Sequence, residues 1–468
     1  MAIARGRGAL TIAAPGGVRT LVTRMGWITA SHGATSALRL LNNVVLAWLL
    51  APALFGLMMI VNLLRTGIEL LTDVGVGQNI VSNPNGHDPD FYDTAWTIQV
   101  FRGLILGVVC ILSAHVAAGY FEKPELAILL PFAALFSIIS GFSSVSTFLI
   151  QKKIAVIRFS KFEIVLAIIN LAIYAAMALI TQTIWALIIG TVISFAVLML
   201  STYLLIPGIR HRFYIDKSSA RQILVFGKWI FWSSMIGFLA MNFDRLYFAK
   251  HITLANLGIF GIARNLSETV STLAVRFGNL LLFPMVAEMQ SSISEIRARL
   301  RAGRRSILLL AALGLASLVA TSDLVVRLLY DARYHNAGMI LPILLIGVWF
   351  AILVTVSEYI LLGVSRPALT AYANGAKLLG IAIAAPLAFH FYGFTAALLA
   401  LAAGELIKYV ALWIPCRKHH LSFARDDLLV TVVFLLSIVV IREMLFTIGL
   451  TGDLHALFPW FADLVRMI

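Results

Sequence analysis

Two short stretches place ionisable side chains where apolar residues would be expected. In MNFDRLYFAKHITLANLGIFGIARNLSE (residues 241–268), Asp244 and Arg245 are followed by Arg264 and Glu268. In LLRTGIELLTD (residues 63–73), Arg65, Glu69 and Asp73 stand at i, i+4 and i+8, one face of a helix. Arg39, Arg102 and Lys377 add three more basic groups inside apolar blocks. Guanidinium groups keep their charge at any working pH and offer planar, paired hydrogen bonds to oxyanions such as phosphate. Carboxylates in such surroundings neutralise a neighbouring cation or carry a proton or metal cation. Asp73, Glu268 and Glu358 are therefore candidate ion-coupling groups.

The elements that position these groups are membrane helices. The 468-residue chain is 60% hydrophobic and 12% charged, and its mean hydropathy is +0.94. The apolar residues fall in blocks of about twenty, long enough to cross a bilayer as helices and too long for barrel strands. That pattern excludes a soluble enzyme and predicts an all-α polytopic membrane protein. Thirteen spans are expected near 26–50, 55–82, 92–118, 125–150, 157–181, 183–206, 222–249, 255–288, 305–325, 337–363, 367–389, 393–416 and 427–447. The last residues, with Trp460, Phe461 and Arg466, would form a fourteenth or an interfacial helix.

A formal net charge of +14 would suggest nucleic acid if the basic residues formed one patch. They lie instead in alternate gaps between spans, the pattern that sets membrane orientation, and no nucleic-acid partner is expected. Arg5, Arg7, Arg19 and Arg24 precede the first span, and Arg210, Arg212, Lys217 and Arg221 follow the sixth. Arg297, Arg299, Arg301, Arg304 and Arg305 follow the eighth, whereas the opposite gaps hold only Lys123, Lys250, Arg327 and Arg333. The N-terminus and the even-numbered gaps are thus expected in the cytoplasm. Residues 1–25 read as a cytosolic tail, with an organellar presequence as the alternative. The two cysteines, Cys110 and Cys416, support neither a disulfide framework nor a metal site.

The chain also resembles itself. Trp27 and Gly56 are 29 positions apart, as are Trp229 and Gly258, and at the same offset of 202 ALFGLMM (53–59) lies over ANLGIFG (255–261). Arg102 then falls on Arg304. Chance similarity between apolar blocks is the alternative to duplication. The repeat divides the chain into a six-helix bundle at 26–207, a cytoplasmic linker at 208–221, a second bundle at 222–416 and extra C-terminal helices at 417–468. Repeats of this kind are a signature of transporters, whose substrate sites lie at the repeat interface.

GW near the start, LLAPALFGLMMIV, LTDVGVGQNIV, GKWIFWSS, NFDRLYFAKHI, LANLGIFGIARNL and FPMVAEM carry a family resemblance. Over roughly residues 24–416 the chain is similar to the polysaccharide flippases of the multidrug/oligosaccharidyl-lipid/polysaccharide exporter superfamily. The most specific part is N-x-D-R-x(12)-L-G-x-x-x-x-A-R, here Asn242, Asp244, Arg245, Leu257, Gly258, Ala263 and Arg264. Ala249 and Phe260 stand where many members have Gly and Tyr.

The resemblance implies two six-helix bundles around a central cavity that opens to either side of a bacterial inner membrane in turn. It implies a cargo of oligosaccharide joined through pyrophosphate to a polyprenol, with membrane lipids, a polysaccharide polymerase and a chain-length regulator as further partners. Related lipid II flippases gather arginines from helices 1, 2 and 8, the helices that carry Arg39, Arg65 and Arg264 here.

At 1.5 Å rise per residue, Arg39, Arg65, Arg102, Arg264 and Lys377 each sit roughly 14–20 Å from a helix start, near the middle of a ~30 Å core. Each is expected to face protein or water and to bind the substrate phosphates. The alternative for Arg65, Arg264 and a Glu405–Lys408 pair is mutual neutralisation along one helix. For Arg39 and Arg102 it is pairing between helices with Glu69 or Glu405. Asp244 and Arg245 are expected at the non-cytoplasmic rim, near Lys250, as a gate or as a charge pair anchoring the helix end. Pro131, Pro284, Pro342 and Pro386 fall inside spans and could bend them.

No phosphate-binding loop, nucleophile elbow or zinc spacing is present, and His419-His420 reads as an interfacial pair, so neither catalysis nor a cofactor is expected. The competing readings are a multidrug or cation antiporter of the same superfamily, a membrane glycan polymerase or ligase, and a scaffold. An excess of buried arginine over acid argues against the first. The short gaps on the non-cytoplasmic side argue against the second.

Overall fold

The computed structural model describes residues 18–70, 75–152, 156–206, 209–277, 293–363, 367–418 and 422–458. Asp73, Pro284, His419-His420 and residues 459–468 lie outside them. Among the described residues the secondary structure is helical throughout, and eight helices are long and apolar enough to cross a membrane. The chain is a multi-pass membrane protein.

The first half consists of α1 (Val18–Leu49), α2 (Pro52–Leu70), α3 (Val76–Ser82), α4 (Pro89–Phe121), α5 (Leu126–Gly141), α6 (Ser146–Lys152), α7 (Val156–Thr181) and α8 (Ile184–Leu204). The second begins with α9 (Lys217–His251), α10 (Leu254–Phe277), α11 (Ile293–Ala320) and α12 (Ser322–Leu329). It continues with α13 (Ala337–Gly363), α14 (Pro367–Lys418), α15 (Ala424–Thr447) and the short α16 (Leu454–Leu457). Two ends can be distinguished. The linker end holds residues 83–88 and 209–216; the far end holds the α1–α2, α4–α5, α7–α8 and α9–α10 turns.

Two spans expected to be continuous are broken. The second divides into α2 and α3, with Gly75 before α3 in the left-handed region at φ 61°, where only glycine is unstrained. The fourth divides at Phe142–Val145 into α5 and α6. Gln99 of α4 donates to the carbonyls of Gly141 and Ser143, both at 3.0 Å, and so satisfies backbone freed by the break. Spans eleven and twelve are the two arms of α14, which reverses at Gly393, φ 81°. Lys377 on one arm bonds Glu405 on the other. Pro131, Pro342 and Pro386 do lie inside helices.

The repeat is visible as contact. A methyl carbon built on Gly56 would lie 2.0 Å from the Leu254 carbonyl oxygen, and one on Gly258 would lie 1.9 Å from that of Pro52. Residues 52 and 254, and 56 and 258, are each 202 apart, so the two halves meet through equivalent positions. Only glycine allows the backbones of α2 and α10 to approach this closely.

The helix α15, expected above as the thirteenth span, is clamped to the rest of the second half at both ends. Arg304 on α11, counted above among the basic gap residues, is buried and lies 2.5 Å from Asp427. Arg442, also buried, grips Asp323 at 2.7 and 3.1 Å and donates to the Ala320 carbonyl at 2.8 Å. Such paired charges are the form in which arginine is tolerated inside a bundle.

Candidate functional site

A cavity of 460 Å³ lies between the halves, walled by α1, α2, α7 and α8 on one side and α9 and α10 on the other. Five asparagines line it: Asn42 and Asn43 from α1, Asn62 from α2, Asn242 from α9 and Asn265 from α10. Carboxamides both donate and accept without carrying charge, which suits hydroxyl-rich ligands. Asn42 Oδ1 is buried with no hydrogen-bond partner among the described residues. Tyr174 and Thr191, bonded to one another at 2.9 Å, extend the polar wall. Toward the far end the Gly56–Gly258 crossing closes the space. Toward the linker end it narrows where a methyl on Gly67 would stand 3.1 Å from the ring of Phe238.

Arg245 and Glu268 form part of the same wall and open onto a second cavity of 560 Å³ within the second half. There Arg245 Nη2 meets Glu268 at 2.7 Å, and Arg264 Nε lies 3.2 Å from both Asp244 and Glu268. Asp244 and Arg245 are thus level with Arg264 and Glu268 and do not stand apart at the rim. The α9–α10 turn follows His251, and the antiparallel return of α10 brings position 264 opposite 244. On the other wall Lys377 pairs with Glu405, and Lys408 with Glu358 at 2.8 Å. The Glu405–Lys408 pairing expected along one helix gives way to one pairing between the two arms of α14 and one between α14 and α13.

This second cavity holds four acids, Asp244, Glu268, Glu358 and Glu405, and four bases, Arg245, Arg264, Lys377 and Lys408. The expected excess of buried arginine is absent here.

The remaining basic residues lie elsewhere. Arg65 pairs with Glu69 at 2.6 Å, as their spacing predicts, with its guanidinium 5.6 Å from the Phe195 ring. Arg102 donates to the Glu69 carbonyl at 2.8 Å and lines a third cavity of 600 Å³ inside the first half, whose walls carry Ser137, Ser140, Ser143, Ser144 and Thr147. Arg39 is exposed on α1 and lines none of the three cavities. Of the five candidate phosphate ligands only Arg264 and Lys377 share a cavity and none lines the central one, where the asparagines meet; uncharged, these gave no charge signal in the sequence. The Asn42-Asn43 doublet and the isolated Asn62 and Asn265 in apolar helices were the signal.

At the linker end, His211 is buried against Trp96, stacked at 5.2 Å between centroids, with Nε2 2.8 Å from Ser144 Oγ and Nδ1 3.5 Å from Asp93. Arg212 reaches Asp93 at 3.1 Å and Asp90 at 2.9 Å. Burial holds the His211 imidazole below its ordinary value, outweighing the opposing pull of Asp93.

Comparison with known proteins agrees with this architecture. A family model described as polysaccharide biosynthesis protein matches residues 45–338. The teichuronic acid biosynthesis protein TuaB of Bacillus subtilis (strain 168) is 23% identical over 317 residues, 66% of this chain, and the match spans only 64% of that relative's length. Among solved structures, the lipid II flippase MurJ in an inward closed conformation is similar over 94% of this chain and 95% of its own, with a TM-score of 0.71 and 14% identity. A mutant of the Vibrio cholerae MATE transporter VcmN is similar over 86% and 96%, with a TM-score of 0.56 and 15% identity. At these identities the structural matches show the fold.

Proposed function

The chain belongs to the polysaccharide biosynthesis protein family, and from that premise we propose that it is a flippase for polyprenyl-pyrophosphate-linked oligosaccharide repeat units. It moves them across the bacterial inner membrane by alternating access, for exopolysaccharide, capsule or O-antigen synthesis. The observation that carries this reading is the amide-lined cavity between the halves. Five carboxamides and one neutralised ion pair suit a glycan, whose hydroxyls both give and take hydrogen bonds.

The linker end is cytoplasmic by the distribution of Lys and Arg. Arg39, Arg65, Arg102, Arg264 and Lys377, none of which lines the central cavity, are proposed to meet the phosphates as the unit passes, while the polyprenyl tail stays in lipid. Asp73, Glu268 and Glu358 are proposed to couple the cycle to an ion gradient, with Asp244 and Arg245, which line the same cavity as Glu268 and Glu358, as gate candidates. A polymerase and a chain-length regulator then act on the delivered unit.

Four carboxylates in the second-half cavity favour a second reading, cation antiport. In a strain lacking the chain, lipid-linked units should accumulate with their sugars on the cytoplasmic face, and Asn62→Leu/Asn265→Leu should fail to restore export while inserting normally. Normal flipping with shortened polymer would instead identify a polymerase. Normal flipping with lost cation-driven drug efflux would identify the antiporter.

A further inference from the structure

Four basic residues mark the far end in the sequence, and two of them reach across the seam between the halves. Arg333, beyond α12, donates from Nη2 to the carbonyls of Trp48 at 3.0 Å and Ala47 at 3.5 Å. These belong to the last turn of α1, whose carbonyls have no partner within their own helix. The helix end is also the negative pole of its dipole, so a guanidinium there is doubly favoured. Asp331 holds Arg333 Nε at 2.6 Å and so aims the group.

Next to it, Tyr334 donates to the Leu50 carbonyl at 2.9 Å and packs edge-on against Phe55 at 5.7 Å. The exchange is reciprocal. Trp48 Nε1 donates to the carbonyl of Leu329, the last residue of α12, at 2.9 Å. On the opposite flank Lys250, at the end of α9, lies 4.1 Å from the centre of the Tyr120 ring at the end of α4. Each half thus supplies the side chains that cap or cover helix ends of the other, and the Gly56–Gly258 crossing lies beside them.

We propose that Arg333 and Tyr334, with Lys250 in support, form a latch that holds the far end closed and is released when the cavity opens to that side. Both cations engage neutral acceptors across the seam, a carbonyl or an aromatic face. Opening therefore leaves no buried carboxylate without a partner, and neither contact depends on the titration of its acceptor. A carboxylate partner would bind more tightly and part with greater loss. The Arg333 bonds reach solvent and suit a contact that must break once in every cycle, whereas the buried Tyr334 bond holds the closed form. The inference rests on the alternating-access reading, but its test needs no cargo.

The reporter is Asn62→Cys in the central cavity, in a chain whose native Cys110 and Cys416 are buried. A membrane-impermeant maleimide is applied to each side of sealed vesicles in turn. Arg333→Ala should raise labelling from the far-end side by about three- to tenfold, the size expected for charge-assisted hydrogen bonds lost at a half-exposed site, and lower it from the linker-end side. Tyr334→Phe, which deletes one hydroxyl, should shift the rates in the same direction by a smaller factor, and Arg333→Lys should fall between wild type and Arg333→Ala.

Rates equal to wild type in Arg333→Ala and Tyr334→Phe would overturn the latch. If Arg333→Ala fails to insert, Tyr334→Phe and Lys250→Gln decide by the same measure. Shifted labelling in the latch variants, with export unchanged in Asn62→Leu/Asn265→Leu, would keep the latch and overturn the flippase reading. Unshifted labelling with export lost in the asparagine variants would do the reverse.

Discussion

Arg264 touches two carboxylates, and they differ in what its loss would do to them. Glu268 keeps Arg245 as a partner at 2.7 Å, whereas Asp244 is 6% exposed and Arg264 is its ion-pair partner among the described residues. Arg264→Ala should therefore destabilise the protein by about 3 kcal/mol, toward the lower end for a broken buried pair because the guanidinium keeps some contact with solvent. Asp244→Asn added to Arg264→Ala should recover most of that loss. Thermal unfolding in detergent checks both, and a double variant no more stable than Arg264→Ala would show that Asp244 is not the strained partner. The intrahelical pairs, Arg65–Glu69 and Arg264–Glu268, were legible from a spacing of four. Lys377–Glu405, Lys408–Glu358 and Arg264–Asp244 were not, because each needs two helices brought together by packing that no local spacing encodes. The asparagines stayed hidden for a different reason: an uncharged amide scarcely disturbs a hydropathy profile, although a buried one still requires a partner.

Continuous apolar runs told where helices lie and concealed where they stop. The breaks after α2 and α5 sit inside span-length blocks, and at the second the freed backbone is satisfied by Gln99. The reversal at Gly393 was legible to within a residue, as the gap between the spans expected at 367–389 and 393–416. The linker segment was legible only as basic, yet it is an ordered element docked on α4. Tyr214 N donates to Thr97 Oγ1 at 3.1 Å and Asp216 N to Thr94 Oγ1 at 2.9 Å, both just beyond the His211–Ser144 contact in the chain. His211 faces Asp93 and Arg212 among charged groups, and Tyr92 and Tyr203 pack edge-on against it. Its imidazole is held below the ordinary value of 6.5, chiefly by burial. The undocked linker therefore takes up the proton more readily than the docked one. Docking is fully favoured above pH 6.5 and weakens as pH falls below that value. Limited proteolysis of residues 209–216 should accelerate as the pH falls below 6.5 in the wild type, and His211→Gln should flatten that dependence. A profile identical in the two proteins would assign the pH response to the carboxylates instead.

For the molecule as a whole, the repeat was the most informative reading, because it foretold a relation between halves that no single helix could reveal. ALFGLMM and ANLGIFG, aligned at an offset of 202, turn out to touch one another. Besides the glycine pair, a methyl carbon on Gly261 would lie 2.2 Å from the end of the Met59 side chain, its own counterpart. Contact between equivalent positions is what a two-fold relation produces at its axis, as in an isologous dimer interface. The asymmetry lies off the axis, in the balanced charges of the second-half cavity, the hydroxyls of the first-half cavity and the added helix fixed by Arg304 and Arg442. A specific prediction follows from the symmetry. Gly56→Ala and Gly258→Ala insert a methyl into the same crossing from opposite sides, each within 2.0 Å of a backbone carbonyl that cannot rotate away. Each should separate α2 from α10 and open the far end to a similar degree, read as labelling of Asn62→Cys from that side. Once one methyl has parted the backbones, the second meets space already made, so the double variant should resemble either single one. Effects that simply add would mean that the two positions act independently and that α2 and α10 do not share one seam.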